Sequence, residues 1–274
     1  MSRYMSNRRL KSKHYAPEVD IYDIRGNSSP KNRVKGRNEK PLSIANSGSV
    51  PFSVVEAYKN IRVQLISLLE KGNSKTFAIT SANASEGKST TSLNIAITFS
   101  QLDKKVLIVD ADIRRGTIHL KTKLQNDIGC TDVLSGDVSF DDAVKHYKNN
   151  LDVLTCGKLS KDSCELFDSA SFDELLKSLE ENYDYIIFDT PPVTLVSDAL
   201  VIAKKCDGLV YVIRSEVTTY EAFKKAKTAT EKLGATTLGV IINAVDLNSK
   251  KAYKYKYGKY NNKYANPYSY YSKR

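Results

Sequence analysis

The 274-residue chain has no tryptophan, only two methionines, and just three histidines and four cysteines. Cys130, Cys156, Cys164 and Cys206 stand apart with no C-x-x-C pair, and His14, His119 and His146 are equally dispersed. That spacing indicates neither a disulfide framework nor a zinc-ligand pattern. No apolar run approaches the roughly 20 residues of a membrane span. The N-terminus lacks the apolar core of a signal peptide, so a cytoplasmic location is the expectation. Acidic residues are missing altogether from residues 248–274, which carry 8 Lys and Arg. Residues 1–50 carry 11 Lys and Arg against 4 acids. With the whole chain at +11 and these arms at +7 and +8, residues 51–247 are left at −4. Such arms suit nucleic acid, anionic lipid or an acidic partner, and equally read as solvated tails.

Three segments follow. Residues 1–50 are polar, with few core-forming side chains, and read as a basic, mostly disordered arm. Residues 51–247 read as one domain. Residues 248–274 read as a flexible tail holding Tyr253, Tyr255, Tyr257, Tyr260, Tyr264, Tyr268, Tyr270 and Tyr271, 8 of the chain's 17 tyrosines. Within the domain, helical spacing over 53–71 predicts a first helix. Ser53 with Glu56 forms a candidate capping box at its start, and Gly72-Asn73 would stop it. Strands are then predicted near 76–81, 105–110, 151–155, 184–189, 208–213 and 237–242. Helices are predicted near 88–102, 139–147, 171–181, 197–205 and 218–233. Several strands are continuous apolar runs, such as Tyr185-Ile186-Ile187-Phe188. Strands of this kind are buried on both faces of a mostly parallel α/β sheet flanked by helices. Ligands of such sheets sit at the carboxyl ends of the strands.

One of those ends carries Ser81-Ala82-Asn83-Ala84-Ser85-Glu86-Gly87-Lys88-Ser89-Thr90. A strand, a Gly-Lys-Ser loop and a helix together cradle a polyphosphate. Loop amides and the helix dipole face the anion, Lys88 reaches the outer phosphates, and the Ser89 hydroxyl holds Mg²⁺. The reading is therefore nucleoside-triphosphate binding, with residues 82–90 as the contact set. Two further strand ends carry acids. Asp110-Ala111-Asp112-Ile113-Arg114-Arg115 sets two carboxylates on one side of an extended chain, suited to a metal or to one raised pKa. Phe188-Asp189-Thr190-Pro191-Pro192 ends in an Asp that can order the water of Mg²⁺, before prolines force the chain out of the sheet.

In these motifs residues 53–246 resemble the bacterial tyrosine kinases of polysaccharide export, which share the deviant-Walker, partition-ATPase-like P-loop fold. The match rests on the Gly87-Lys88-Ser89 loop, Asp110 to Arg115, Asp132-Val133-Leu134-Ser135-Gly136, Asp189-Thr190-Pro191-Pro192 and the tyrosine-rich C-terminus. Gly239-Val240-Ile241-Ile242-Asn243 resembles the family's last core strand and adds Asn243 to the nucleotide contacts. The resemblance implies ATP and Mg²⁺ as cofactors. Lys88, Asp110, Asp112 and Asp189 would be catalytic, Asp110 would take the tyrosine proton, and Ser89, Asp112 and Asp189 would serve the metal. It also implies autophosphorylation of the tail tyrosines in trans and control of capsule or exopolysaccharide synthesis. The implied partners are a separate membrane-embedded activator that recruits the enzyme to the inner face of the membrane, a homo-oligomeric ring and a cognate phosphatase. No nucleic acid is expected, and the N-terminal arm would rest on anionic lipid.

The sequence departs from the family pattern at several points. Ala84-Ser85 replaces Pro-Gly, Gly116 replaces a proline, and Ser160-Lys161-Asp162-Ser163-Cys164 replaces a proline-rich loop. In the assembly motif of the first helix, Glu56, Lys59 and Arg62 share a face, with Lys59 in place of an arginine. Two rival readings are a partition-type switch ATPase, which has no use for eight tail tyrosines, and a non-catalytic ATP-binding adaptor.

Overall fold

The computed structural model describes residues 20–24 and 50–245. The arms outside that range, with the eight tail tyrosines, lie beyond the described residues. In chain order the strands are β1 (Asp20–Ile24), β2 (Thr76–Ser81), β3 (Val106–Asp110), β4 (Lys145–Lys148), β5 (Leu151–Leu154), β6 (Tyr185–Asp189), β7 (Gly208–Arg214) and β8 (Thr237–Val245). The helices are α1 (Phe52–Gly72), α2 (Lys88–Ser100), α3 (Ile118–Thr122), α4 (Cys130–Leu134), α5 (Phe140–Ala143), α6 (Ser163–Asp168), α7 (Ala170–Asn182), α8 (Asp198–Lys205) and α9 (Tyr220–Glu231).

One sheet runs β1-β8-β7-β2-β6-β3-β5-β4, and every pairing is parallel except β4 with β5. The central strands β2, β3 and β6 are buried at every position because both faces of the sheet are covered. Val106 and Ile108 face a core shared with α1 and α2, whereas Leu107 and Val109 face the opposite core with α7 and α8. Edge-to-face rings tie the layers: Phe99 of α2 meets Tyr185 of β6 at 4.9 Å and 86°. Such a pair adds about 0.5–1.5 kcal/mol beyond burial. The α2 helix is buried all round, and its hydroxyls bond back to the preceding turn, as Ser92 to the Lys88 carbonyl at 3.0 Å and Thr98 to Ile95 at 2.8 Å. That satisfies polar atoms for which no water is at hand.

Three expectations need correction. The Ser53–Glu56 capping box does not form: Pro51 is the N-cap residue, and no side chain caps the helix. A proline with φ near its fixed value starts the helix one residue early, and Glu56 turns to Lys59 instead. The stop at Gly72-Asn73 is as expected, with Asn73 left-handed at φ 50°. Residues 139–147 are not one helix; α5 ends at Ala143 and the chain becomes the antiparallel edge strand β4. Finally, the segment read as an N-terminal arm contains β1, which pairs in parallel with β8 from Asp20↔Val240 to Ile24↔Val245.

Candidate active site

Parallel strands bring their carboxyl ends to one rim, and β2, β6 and β3 lie side by side there. The chain climbs β2, then crosses β6 to reach β3, which opens a crevice at the strand ends. Residues 82–87 close that crevice as a loop leading into α2. Glu86 anchors the loop from within. It is 1% exposed, and its carboxylate accepts from the Asn83 amide at 3.1 Å, from Asn83 Nδ2 at 3.0 Å and from the Thr218 hydroxyl. Ser85 stands at φ 62°, the left-handed region that a glycine occupies freely, and Arg214 Nη1 donates to its carbonyl at 3.2 Å. Gly87, at φ 98°, is packed so closely that an added Cβ would stand 1.9 Å from Asn243 Nδ2.

Asn243 therefore acts first on the loop. Its Nδ2 donates to the Glu86 carbonyl at 2.8 Å, and its Oδ1 accepts from the Ala244 amide at 2.8 Å. Thr194, just past the prolines, donates its hydroxyl to the Ala82 carbonyl, so the chain leaving β6 stays against the loop.

The carboxylates converge beside it. Asp110 and Asp189 are register partners on β3 and β6, both 0% exposed. Ser92 of α2 donates to Asp189 Oδ1 at 2.9 Å, and Ser89 also hydrogen-bonds this carboxylate. Asp110 Oδ2 accepts from the Ile118 amide at 2.9 Å, and Asp112 Oδ1 accepts from the Arg115 amide at 3.0 Å. Asp110 Oδ1 and Asp189 Oδ2 are buried with no protein partner. Burial, then the Asp189 charge, pushes the Asp110 carboxyl well above the usual carboxylate range. Burial likewise raises Asp189 and Asp112, and in both the Lys88 ammonium is the largest opposing influence. Lys88 itself is buried, at the first turn of α2. The fold thus gathers Lys88, Asp110, Asp112 and Asp189 at one rim, with Ser89 and the loop around them. The orphaned Asp189 Oδ2, the Asp112 carboxylate and the Ser89 hydroxyl form an all-oxygen set of the kind a hard cation such as Mg²⁺ takes.

Lys121 and Asp198 carry no local motif, whereas Arg114 and Asp132 belong to motifs already quoted. Lys121 of α3 feels the charges of Asp189 and Asp110, while burial lowers its pKa. Asp198, 0% exposed at the start of α8, receives Arg114 through Nε at 2.7 Å and Nη2 at 3.2 Å and the Ser163 hydroxyl at 2.6 Å. Asp132, at the start of the Asp132-Val133-Leu134-Ser135-Gly136 run, accepts from the Gly129 amide at 2.9 Å and caps its own short helix. On α1, Lys59 pairs with Glu56 at 2.8 Å, and Arg62 Nη1 donates to the Thr98 carbonyl at 2.6 Å. In the single chain these three candidate assembly residues therefore all have intramolecular partners.

Against known proteins, residues 74–233 match the AAA domain model. The chain is 39% identical over 201 residues to the tyrosine-protein kinase YwqD of Bacillus subtilis, covering 73% of this chain and 85% of that one. The chain belongs to the bacterial tyrosine-kinase family. Among solved structures, the kinase domain of the Escherichia coli tyrosine kinase ETK superposes with TM-score 0.72 at 26% identity, over 87% of this chain and 89% of that one. The septum site-determining protein MinD of Pyrococcus horikoshii, complexed with Mg-ADP, shares the fold more distantly, with TM-score 0.56 and 25% identity over 66% of this chain and 76% of that one. As a bacterial tyrosine kinase the chain is thus an enzyme on a P-loop ATPase scaffold, and the switch-ATPase reading is not the favoured one. The tyrosine kinase has no helix among its described residues long and apolar enough to cross a membrane.

Proposed function

We propose that this tyrosine kinase transfers the γ-phosphoryl group of Mg-ATP to tyrosines of its own C-terminal cluster, on a neighbouring copy. The observation that carries the reading is the pairing of Asp110 with Asp189 across β3 and β6, within the field of a buried Lys88. When bound, Mg-ATP supplies the phosphoryl group and the divalent charge that offsets its oxygens. The loop amides of residues 82–90 and Lys88 hold the phosphates. Ser89, Asp112 and Asp189 hold the metal, and Asn243 fixes the Gly87 turn beside the nucleotide. Asp110 takes the proton from the tyrosine hydroxyl, which is a poor nucleophile at its ordinary pKa near ~10. Positioning and charge compensation carry most of such a reaction, so one lysine and three carboxylates suffice.

The acceptors are Tyr253, Tyr255, Tyr257, Tyr260, Tyr264, Tyr268, Tyr270 and Tyr271. The lysines between them draw the tail to the acidic rim, and a tethered tail reaches a neighbour at high effective concentration. A membrane-embedded activator completes the site, Glu56, Lys59 and Arg62 serve ring assembly, and a phosphatase resets the tail. The output is control of capsule or exopolysaccharide synthesis at the membrane's inner face, where the basic N-terminal arm meets anionic lipid. The test is incubation with Mg-ATP and the activator, followed by phosphotyrosine detection in wild type and Lys88→Met. Tail phosphotyrosine in wild type alone supports the kinase. Phosphate release without phosphotyrosine would return the switch ATPase, and neither product would leave an adaptor.

A further inference from the structure

The fold gathers three residues that are widely spaced along the chain: Asp110 at the end of β3, His119 on α3 and Cys156 just past β5. One ligand atom from each lies within 4.8 Å of the other two. Asp110 and Cys156 are both 0% exposed. Two of these side chains each hold one atom sealed from solvent without a hydrogen bond, Asp110 Oδ1 and His119 Nδ1, while Asp110 Oδ2 accepts from the Ile118 amide. The Cys156 thiol donates to Asn126 Oδ1 at 3.3 Å and approaches the Gly157 carbonyl at 3.6 Å. Gly116 leaves the room for this approach. A Cβ there would stand 2.4 Å from Cys156 Sγ and 2.7 Å from Asp110 Oδ2, so any side chain would push the two apart.

We propose that Asp110, His119 and Cys156 form a site for a borderline-soft divalent cation of the Zn²⁺ type, distinct from the magnesium position. The donor chemistry separates the two. Ser89, Asp112 and Asp189 offer oxygen alone, whereas this trio offers one oxygen, one imidazole nitrogen and one sulfur, the mixture that Zn²⁺ and Co²⁺ take and Mg²⁺ does not. Binding forms the sulfur–metal bond as the thiol releases its proton to solvent. Three protein ligands leave a fourth position for water. The two cation sites share Asp110 as a boundary residue, so a zinc ion draws that carboxylate away from the nucleotide. Inhibition of tyrosine phosphorylation by zinc therefore follows, a consequence that rests on the proposed role of Asp110; the binding site itself does not.

The probe is Co²⁺, titrated into the full chain without nucleotide or Mg²⁺. A thiolate-to-cobalt charge-transfer absorption that saturates at one ion per chain and is bleached by Zn²⁺ supports the site. Cys156→Ser, a one-atom change, abolishes that band. His119→Ala weakens cobalt binding by at least about tenfold. Cys164→Ser, which alters the partly exposed thiol, leaves the band intact. The proposal is overturned by a wild-type chain with no charge-transfer band in excess cobalt, by a band that survives Cys156→Ser, or by one that disappears with Cys164→Ser. Melting curves of the variants check their folding, and if Cys156→Ser fails to fold, the partly buried His119 position carries the test. Zinc resistance of phosphotyrosine formation in Cys156→Ser then reads the regulatory consequence separately from the spectrum.

Discussion

The buried pair Asp110 and Asp189 trades stability for chemistry. With its folded-state pKa raised by burial and by Asp189 and Asp112, Asp110 binds its proton more tightly in the native state than in the unfolded chain. The stability so gained is complete below the ordinary carboxylate pKa of about 3.9 and is lost as pH climbs through the raised folded value. Asp110→Asn removes that loss. It should stabilise the nucleotide-free chain at neutral pH by about 1 kcal/mol, roughly 2–4 °C in melting temperature, with the gain vanishing near pH 4. Thermal melts across pH check this, and a destabilised variant at pH 7 would contradict the electrostatic account. Gly87→Ala should do the opposite. Its φ of 98° and the 1.9 Å approach to Asn243 force either residue out of place. The expected cost is about 1–3 kcal/mol with loss of nucleotide binding, read by urea midpoint and a fluorescent ATP analogue. At this scale the motif residues were legible because loop and strand-end signatures are local in sequence. His119, Cys156, Lys121 and Asp198 were not, since their partners lie on distant elements and only the fold introduces them.

Arg114 and Asp198 join the loop after β3 to α8, and Ser163 adds α6 to the same carboxylate. Arg114→Ala leaves a fully buried carboxylate with one hydroxyl donor. The expected destabilisation is about 3 kcal/mol, with Asp198→Asn costing less, as measured by urea unfolding. Elements of this fold differ in how openly they announce themselves. The central strands β3, β6 and β7 read directly, because burial on both faces writes an unbroken apolar run, while β2, with Thr76, Thr80 and Ser81, reads from its place before the Gly-Lys-Ser loop. The long helix α1 reads from its apolar spacing, whereas α2, buried all round, reads from its place after the Gly-Lys-Ser loop. The helices α3, α4 and α6 span five or six residues each, too short to show a 3.6-residue period, and they are held by tertiary contacts. Strands β1 and β4 were missed for a related reason: each lies at an edge of the sheet, where one neighbour and a mixed sequence replace a strong pattern.

For the whole molecule, charge sets the expected response to its own reaction. The tail carries +8, and each phosphotyrosine adds about −1.5 to −2, so roughly five phosphates neutralise it. On the proposed function, a tail drawn to acidic rims by its lysines would then lose that attraction, and the assembly would loosen. Sedimentation of the fully phosphorylated chain should show a smaller species than the unphosphorylated one; equal sizes would refute this. The fold also fixes where that tail is moored. Asn243 clasps the Gly87 turn, and β8 ends only two residues later at Val245. The segment that follows Val245 therefore leaves the sheet two residues from the clasp on the Gly87 turn, so a pull on it would be shared between that turn and the neighbouring strands β1 and β7.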